Sequence, residues 1–163
     1  MLILFLSSVS IYVNAQEGWF KQKINEKVTV NFPIEPKKLS DSNFGIKDKD
    51  DVIFLVSFVD LLTATGLSLD EFNKNIVLQS FADEFMAGLV PNLPKYVFKQ
   101  ANITTLKGYT TYSATGRDDT NKSTIYMNIC FVNGISYSIT SIVPDGKSTQ
   151  NTNIFLNNIF VSK

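Results

Sequence analysis

Residues 125–143 read IYMNICFVNGISYSITSIV, and they are the most informative part of the sequence about the fold. The dipeptide Asn133-Gly134 separates two runs rich in apolar residues. Both residues tolerate positive φ, which is typical of a two-residue type I′ turn. Such a turn places Cys130 opposite Tyr137, and each face of the resulting hairpin then carries apolar side chains. The stretch therefore predicts a β-hairpin in the interior of a sheet that is covered on both sides.

Other segments of the chain also have strand character. Residues 27–32 alternate between apolar and polar side chains, and residues 52–59 are apolar on both faces, which predicts a central strand covered on both sides. Further strands are predicted at residues 44–47, 96–105 and 109–115, and residues 116–122 are expected to form a polar loop.

One long helix is predicted between these two groups of strands. Ser68 and Glu71 have the spacing of a capping box, in which each side chain bonds the other residue's backbone N–H. Apolar residues then recur every three or four positions as far as Leu89, and Gly88 and Pro91 end the pattern. A second, short helix is expected at residues 148–158, followed by an apolar tail.

The order of strands, helix, strands and helix, with short connections between strands, indicates an α+β domain. We expect an antiparallel β-sheet flanked by two main helices. Residues 16–163 are expected to form this single domain, because the 163-residue chain contains no internal repeat or linker.

The first residues, MLILFLSSVSIYVNAQ, are typical of a secretory signal. An apolar run ends on Val13-Asn14-Ala15, where small or slim residues occupy the positions read by signal peptidase. Residues 1–15 are therefore predicted to be a signal peptide, which leaves no stable membrane anchor after cleavage. The alternative is a buried first strand. The signal peptide predicts export to the periplasm or the extracellular space.

The amino-acid composition limits the catalytic and metal-binding sites that the protein could contain. The chain has no histidine, which removes the commonest general base and metal ligand. Cys130 is the only cysteine, and its apolar surroundings favour a buried, unreactive thiol. Lys plus Arg and Asp plus Glu number 15 each, so no net charge favours nucleic acid. We predict no catalytic, metal-binding or cofactor-binding residue, no cofactor and no enzymatic activity.

The segment at residues 141–148, SIVPDGKS, is similar to a phosphate-binding loop. It differs at the first glycine position, which is Ser141, and Pro144 lacks the N–H that a phosphate cradle would use. A turn followed by a helix cap is therefore the preferred interpretation.

Two acidic clusters remain open as cation sites. Asp48, Asp50 and Asp51 lack the glycine and glutamate that an EF-hand loop requires, although a looser calcium site is conceivable. Asp118 and Asp119 form the second cluster. Solvated turn residues are the preferred interpretation of both.

Three segments resemble the PsbP-like superfamily, which includes the photosystem II extrinsic protein and a Ran-binding branch. They are VTVNFPIEP at 28–36, LKGYTTYSATGR at 106–117 and FLNNIFV at 155–161. The resemblance extends roughly over residues 19–163 and implies an antiparallel sheet between helices, an α/β/α sandwich. None of the partner-binding residues of that superfamily can be matched in this sequence.

The leading hypothesis is a non-enzymatic exported protein, a small binding or accessory module of the bacterial envelope with a protein or small-molecule partner. One alternative is a carboxylate-based hydrolase that uses two of the acidic side chains. A second alternative is a structural or interaction subunit.

Overall fold

The computed structural model describes residues 18–162, which form two antiparallel sheets and four α-helices. The predicted signal peptide lies outside the described residues. The strands are β1 (Phe20–Lys23), β2 (Val28–Phe32), β3 (Lys37–Ser40), β4 (Asn43–Lys47), β5 (Ile53–Asp60), β6 (Val97–Phe98), β7 (Asn102–Leu106), β8 (Tyr109–Asp118), β9 (Ser123–Val132), β10 (Ile135–Pro144) and β11 (Ile159–Val161). The helices are α1 (Leu61–Thr65), α2 (Leu69–Asn75), α3 (Gln79–Leu89) and α4 (Gln150–Leu156).

The large sheet has eight strands in the order β3-β4-β5-β10-β9-β8-β6, and β7 also pairs with β8. The predicted hairpin β9–β10 lies at its centre. Cys130 is opposite Tyr137 as expected, and Asn133 and Gly134 have φ values of 50° and 80°. The prediction of an antiparallel α+β domain is therefore confirmed.

The small sheet has the order β1-β2-β11, so the C-terminal strand returns to pair with a strand near the start of the domain. The predicted alternation of β2 is confirmed, because Val28, Val30 and Phe32 are all fully buried. They join Phe54, Phe155 and the inner face of the hairpin in one hydrophobic core. Helix α4 contacts β2, β9 and β10 on this side of the large sheet.

Helices α2 and α3 cover part of the opposite face. Their buried residues Phe72, Ile76, Ala82 and Met86 pack in a second core that includes Tyr112. The predicted capping box is present, because Ser68 Oγ accepts from the Glu71 amide and Glu71 accepts from the Ser68 amide.

The prediction of one long helix is wrong. The chain forms α1 before the capping box, and the apolar stripe is divided between α2 and α3 at Ile76–Leu78. A physical reason for the break is a competing hydrogen bond, since the Tyr112 hydroxyl donates to the Ile76 carbonyl oxygen at 2.8 Å. Leu78 is 49% exposed, so the stripe does not continue through the break.

Three strand predictions also need correction. Residues 96–105 form two short strands, β6 and β7, because the register with β8 shifts between Phe98 and Asn102, although the Lys99 N–H still donates to the Thr115 carbonyl. The predicted loop at 116–122 is shorter, since β8 continues to Asp118 opposite Ser123. The cover expected on both faces of β5 is incomplete, because Val59 is 52% exposed and Leu55 is partly exposed.

Candidate functional site

The incomplete cover of β5 opens a cleft of about 770 Å³ between the large sheet and helix α3. The helical layer lies over β8 and β9, whereas on the same sheet face Val59 of β5 is 52% exposed and Leu55 and Ser138 are partly exposed. The cleft is lined by Leu39, Ser40, Asn43, Leu55, Val56, Ser57, Phe58, Val59, Leu61, Glu84, Phe85, Gly88, Leu89, Asn92, Leu93, Ile125, Met127, Ile129, Ser136, Ser138, Thr140 and Ile142.

The register of the sheet determines the floor of the cleft. Ser57 on β5 is directly opposite Ser138 on β10, which in turn is opposite Ile129 on β9. Directly paired residues share a face, and residues two apart along a strand share it as well. The floor therefore carries Leu55 and Val59 beside Ser57 at β5, a row of hydroxyl side chains at β10, and apolar side chains at β9.

The floor hydroxyls have few partners within the described residues. Ser138 and Thr140 share one hydrogen bond of 3.2 Å between their hydroxyl oxygens, and Ser136 donates weakly to the Val59 carbonyl at 3.4 Å. Ser57 forms no side-chain hydrogen bond among residues 18–162. Each hydroxyl can donate once and accept twice, so the floor retains capacity to bind a polar ligand group.

Helix α3 forms one wall of the cleft. Ala82 and Met86 anchor the helix in the core, and this orientation presents Phe85 and Leu89 to the cleft. Gly88 lies between them on the helix surface, and a Cβ atom added there would meet no atom within 4 Å. The open volume therefore extends to the backbone of α3.

The opposite rim is formed by β3 and β4. Leu39, which is 58% exposed, lies beside Leu55 over Gly45. A Cβ atom at Gly45 would collide with Leu55 Cδ2 and would lie 3.0 Å from Leu39 Cδ1. Gly45 therefore allows these two leucines to lie flat against the sheet, which keeps the cleft open.

Glu84 is the only charged residue among the described residues that line the cleft. It lies one helical turn before Gly88, on the same side of α3. It forms no ion pair or side-chain hydrogen bond within residues 18–162, in contrast to Asp83, which accepts from Gln79 Nε2 at 2.8 Å. The sequence contained no motif that would single out Glu84.

The first acidic cluster lies away from the cleft and organises a turn. Asp48 Oδ1 accepts from the amides of Asp50 and Val52 at 2.8 and 3.0 Å. Asp51 forms an ion pair with Lys47 at 2.7 Å, which holds the pKa of that carboxyl below its ordinary value. These contacts are those of turn residues.

The second acidic cluster stabilises the turn between β8 and β9. Asp118 is buried and accepts from the Asn121 side-chain amide and from the backbone amides of Asn121 and Thr120. These bonds, led by that of the Asn121 side chain, lower the pKa of the Asp118 carboxyl. Asp119 instead pairs with Arg117 at 2.9 Å.

The segment similar to a phosphate-binding loop forms a turn between β10 and α4. Asp145 in this turn accepts two hydrogen bonds from the Arg117 guanidinium, at 2.5 and 2.7 Å. Lys147 lies 3.3 Å from Asp50, and Ser148 Oγ accepts from the Gln150 amide. The predicted turn is therefore confirmed, whereas the predicted helix cap is not, because α4 begins after Thr149 without a side-chain cap hydrogen bond.

Cys130 is fully buried in the core, as predicted, and burial raises the pKa of its thiol. Within residues 18–162, no three His, Cys, Asp or Glu side chains are grouped closely enough to hold a metal ion. None of the helices in this part of the chain is long and apolar enough to cross a membrane.

Comparisons with known proteins provide a likeness of fold. No family model matches the chain, and no curated protein matches it. A crystal structure of a protein from Bacteroides thetaiotaomicron VPI-5482 is similar, with a TM-score of 0.52 and 12% sequence identity over 88% of this chain. The match covers 48% of that protein, so the chain spans about half its length. At this identity the likeness concerns the fold alone.

Proposed function

We propose that the protein is a non-enzymatic binding module that takes a small, mainly apolar ligand into the cleft between the large sheet and α3. The observation that carries this proposal is the sheet face at β5, which the helical layer leaves partly uncovered at Leu55 and Val59. An apolar sheet face left open to water costs free energy, and a ligand that covers it recovers part of that cost.

The size and chemistry of the cleft support a small ligand. Its volume of about 770 Å³ lies within the range of roughly 300–1,000 Å³ that is typical of small-molecule pockets. Most lining side chains are aliphatic or aromatic, and a few hydroxyls on the floor can orient a polar group. This combination is typical of small-molecule sites.

The described residues offer little support for a carboxylate-based hydrolase. Hydrolysis by a carboxylate pair requires two carboxyl groups that flank the bond to be cleaved. Glu84 is the one carboxylate among the described residues of the cleft, and both acidic clusters are engaged in turns elsewhere.

Export and family membership are part of the same proposal. The signal-like residues 1–15 favour a role in the periplasm or outside the cell. The PsbP-like resemblance is supported by the position of α4 and of α2 with α3 on opposite faces of the large sheet. Fractionation of the native cells with N-terminal sequencing tests export, and cytoplasmic protein that retains Met1 would contradict it.

The variant Gly88→Leu tests the binding site. The new side chain would project into free space at the wall of the cleft and occupy part of its volume, and leucine is the better helix former by roughly 0.5–1 kcal/mol. The control is Ala87→Leu, which adds the same side chain at the neighbouring exposed position outside the cleft lining.

Binding is measured with N-phenyl-1-naphthylamine, a neutral probe whose fluorescence rises in apolar sites. We expect wild type and Ala87→Leu to bind the probe with equal affinity, and Gly88→Leu to lose at least tenfold in affinity without a fall in melting temperature. Equal binding by all three proteins, or by none, would contradict the proposal.

A further inference from the structure

The charge distribution around the cleft identifies the class of ligand. We propose that the occupant is a single-chain amphiphile with a cationic head group, whose chain lies in the cleft and whose ammonium group lies beside Glu84. This inference rests on the proposed binding function and adds the sign of the head group and its position.

The charges on the cleft lining favour a cationic head group. Glu84 is the single charged residue among the described residues of the lining, and no lysine or arginine lines the cleft in residues 18–162. Of the two lysines on β3, Lys38 is paired with Asp41 at 2.8 Å, and Lys37, which is opposite Gly45, does not line the cleft. An anionic head group would meet repulsion from Glu84, whereas a cationic one would gain a partner.

Glu84 lies next to an open part of the wall formed by α3. Glu84 and Gly88 are four residues apart on α3 and therefore lie on the same side of the helix. A Cβ at Gly88 would meet no atom within 4 Å, so an alkyl chain can approach the helix backbone there. The adjacent Phe85 and Leu89 provide apolar contacts for that chain. A ligand whose ammonium group binds Glu84 can therefore extend its alkyl chain directly into the apolar part of the cleft.

Two other acidic residues, Asp83 on α3 and Asp60 at the end of β5, already have hydrogen-bond partners. Asp83 accepts from Gln79 and Gln100, and Asp60 caps α1 by accepting from the Thr63 amide and hydroxyl. Glu84 alone among these three has no such bond within residues 18–162. It is consequently the acidic group that is free to bind a ligand cation.

Displacement of bound N-phenyl-1-naphthylamine tests the inference with three competitors of equal chain length: dodecylammonium, dodecanol and dodecanoate at pH 7, each below its aggregation threshold. We expect dodecylammonium to compete about tenfold more strongly than dodecanoate, and the preference to fall as salt is added. Glu84→Gln should weaken the binding of dodecylammonium about fivefold and leave the affinity for dodecanol unchanged.

The control is Asp83→Asn, which removes the same charge one residue away and should leave the preference intact. If the neutral probe and dodecanol bind but the preference for dodecylammonium is absent or insensitive to Glu84→Gln, the inference is wrong and the binding function stands. If wild type binds neither the probe nor any competitor, both proposals fail.

Discussion

Tyr112 connects the large sheet to the break between α2 and α3, and its replacement by phenylalanine should have two opposite effects. The ring is fully buried and lies 4.6 Å from the ring of Phe131, measured between centroids. Its hydroxyl donates to the Ile76 carbonyl at 2.8 Å, at the C-terminal end of α2. Tyr112→Phe retains the ring contacts and removes this donor.

At neutral pH the variant should be less stable. A buried carbonyl that loses its donor costs about 1–3 kcal/mol of unfolding free energy. For a domain of this size, each kcal/mol lowers the melting temperature by about 2–4 °C.

At alkaline pH the difference should shrink. Burial raises the pKa of Tyr112 in the folded protein, whereas the unfolded chain titrates near the ordinary value of about 10. Above that pH the unfolded chain binds fewer protons than the native protein, so the wild type loses about 1.4 kcal/mol per pH unit through this residue. Tyr112→Phe removes that loss, and the two stability curves should converge above about pH 10.

Urea denaturation followed by circular dichroism between pH 7 and 11 measures both effects. Phe131→Leu is the control, because it destabilises the same cluster without removing an ionisable group and should remain parallel to the wild type. Parallel curves for Tyr112→Phe as well would refute the assignment of Tyr112 as a buried phenol that remains protonated in the folded state.

Other predictions concern the core, a helix cap and a turn. Phe155→Ala should lower the unfolding free energy by about 3–5 kcal/mol in urea titrations, because the buried ring packs against two phenylalanine rings at centroid distances of 4.9 and 5.1 Å. The control Val97→Ser, at a position that is 78% exposed, should change the unfolding free energy by less than about 0.5 kcal/mol. Similar changes for the two variants would be inconsistent with this core. Ser68→Ala should cost about 0.5–2 kcal/mol through loss of the capping box, and an unchanged melting temperature would argue against that cap. Asp118→Asn should lower the melting temperature at pH 7. Hydrogen bonds, led by that of Asn121, lower the pKa of Asp118, so the ionised carboxylate stabilises the folded protein above about pH 4 and this stabilisation is lost as the pH falls further. The difference in melting temperature between variant and wild type should therefore disappear in acid. A difference that stays constant with pH would contradict the sign of this pKa shift.

The central hairpin could be predicted from sequence because its information is local. Asn133-Gly134 sets the turn, and a two-residue turn fixes the register of every pair in β9 and β10. The break at Ile76 could not be predicted in this way. It depends on the distant Tyr112 hydroxyl, and periodicity alone extends the helix across that position.

The cleft is a property of tertiary packing, so the sequence could indicate only part of it. The alternating Ser136, Ser138 and Thr140 on β10 were a signal that this face is less apolar than the opposite one. The extent of the cover depends on where α3 lies over the sheet, and the sequence does not specify that position. Gly45 and Gly88 likewise acquire their roles only from neighbouring elements.

A titration followed by amide chemical shifts is the most direct test of whether an apolar ligand binds in the cleft between the large sheet and α3. Isotope-labelled protein is titrated with N-phenyl-1-naphthylamine, and the shifts of every residue are followed to saturation. If the ligand binds in the cleft, the amide chemical shifts of Ser57, Ser138 and Leu89 should change saturably, and those of Phe160 on the small sheet and Val97 on β6 should not change. Changes centred on Phe160 or Val97, or no saturable change at the cleft floor, would contradict it.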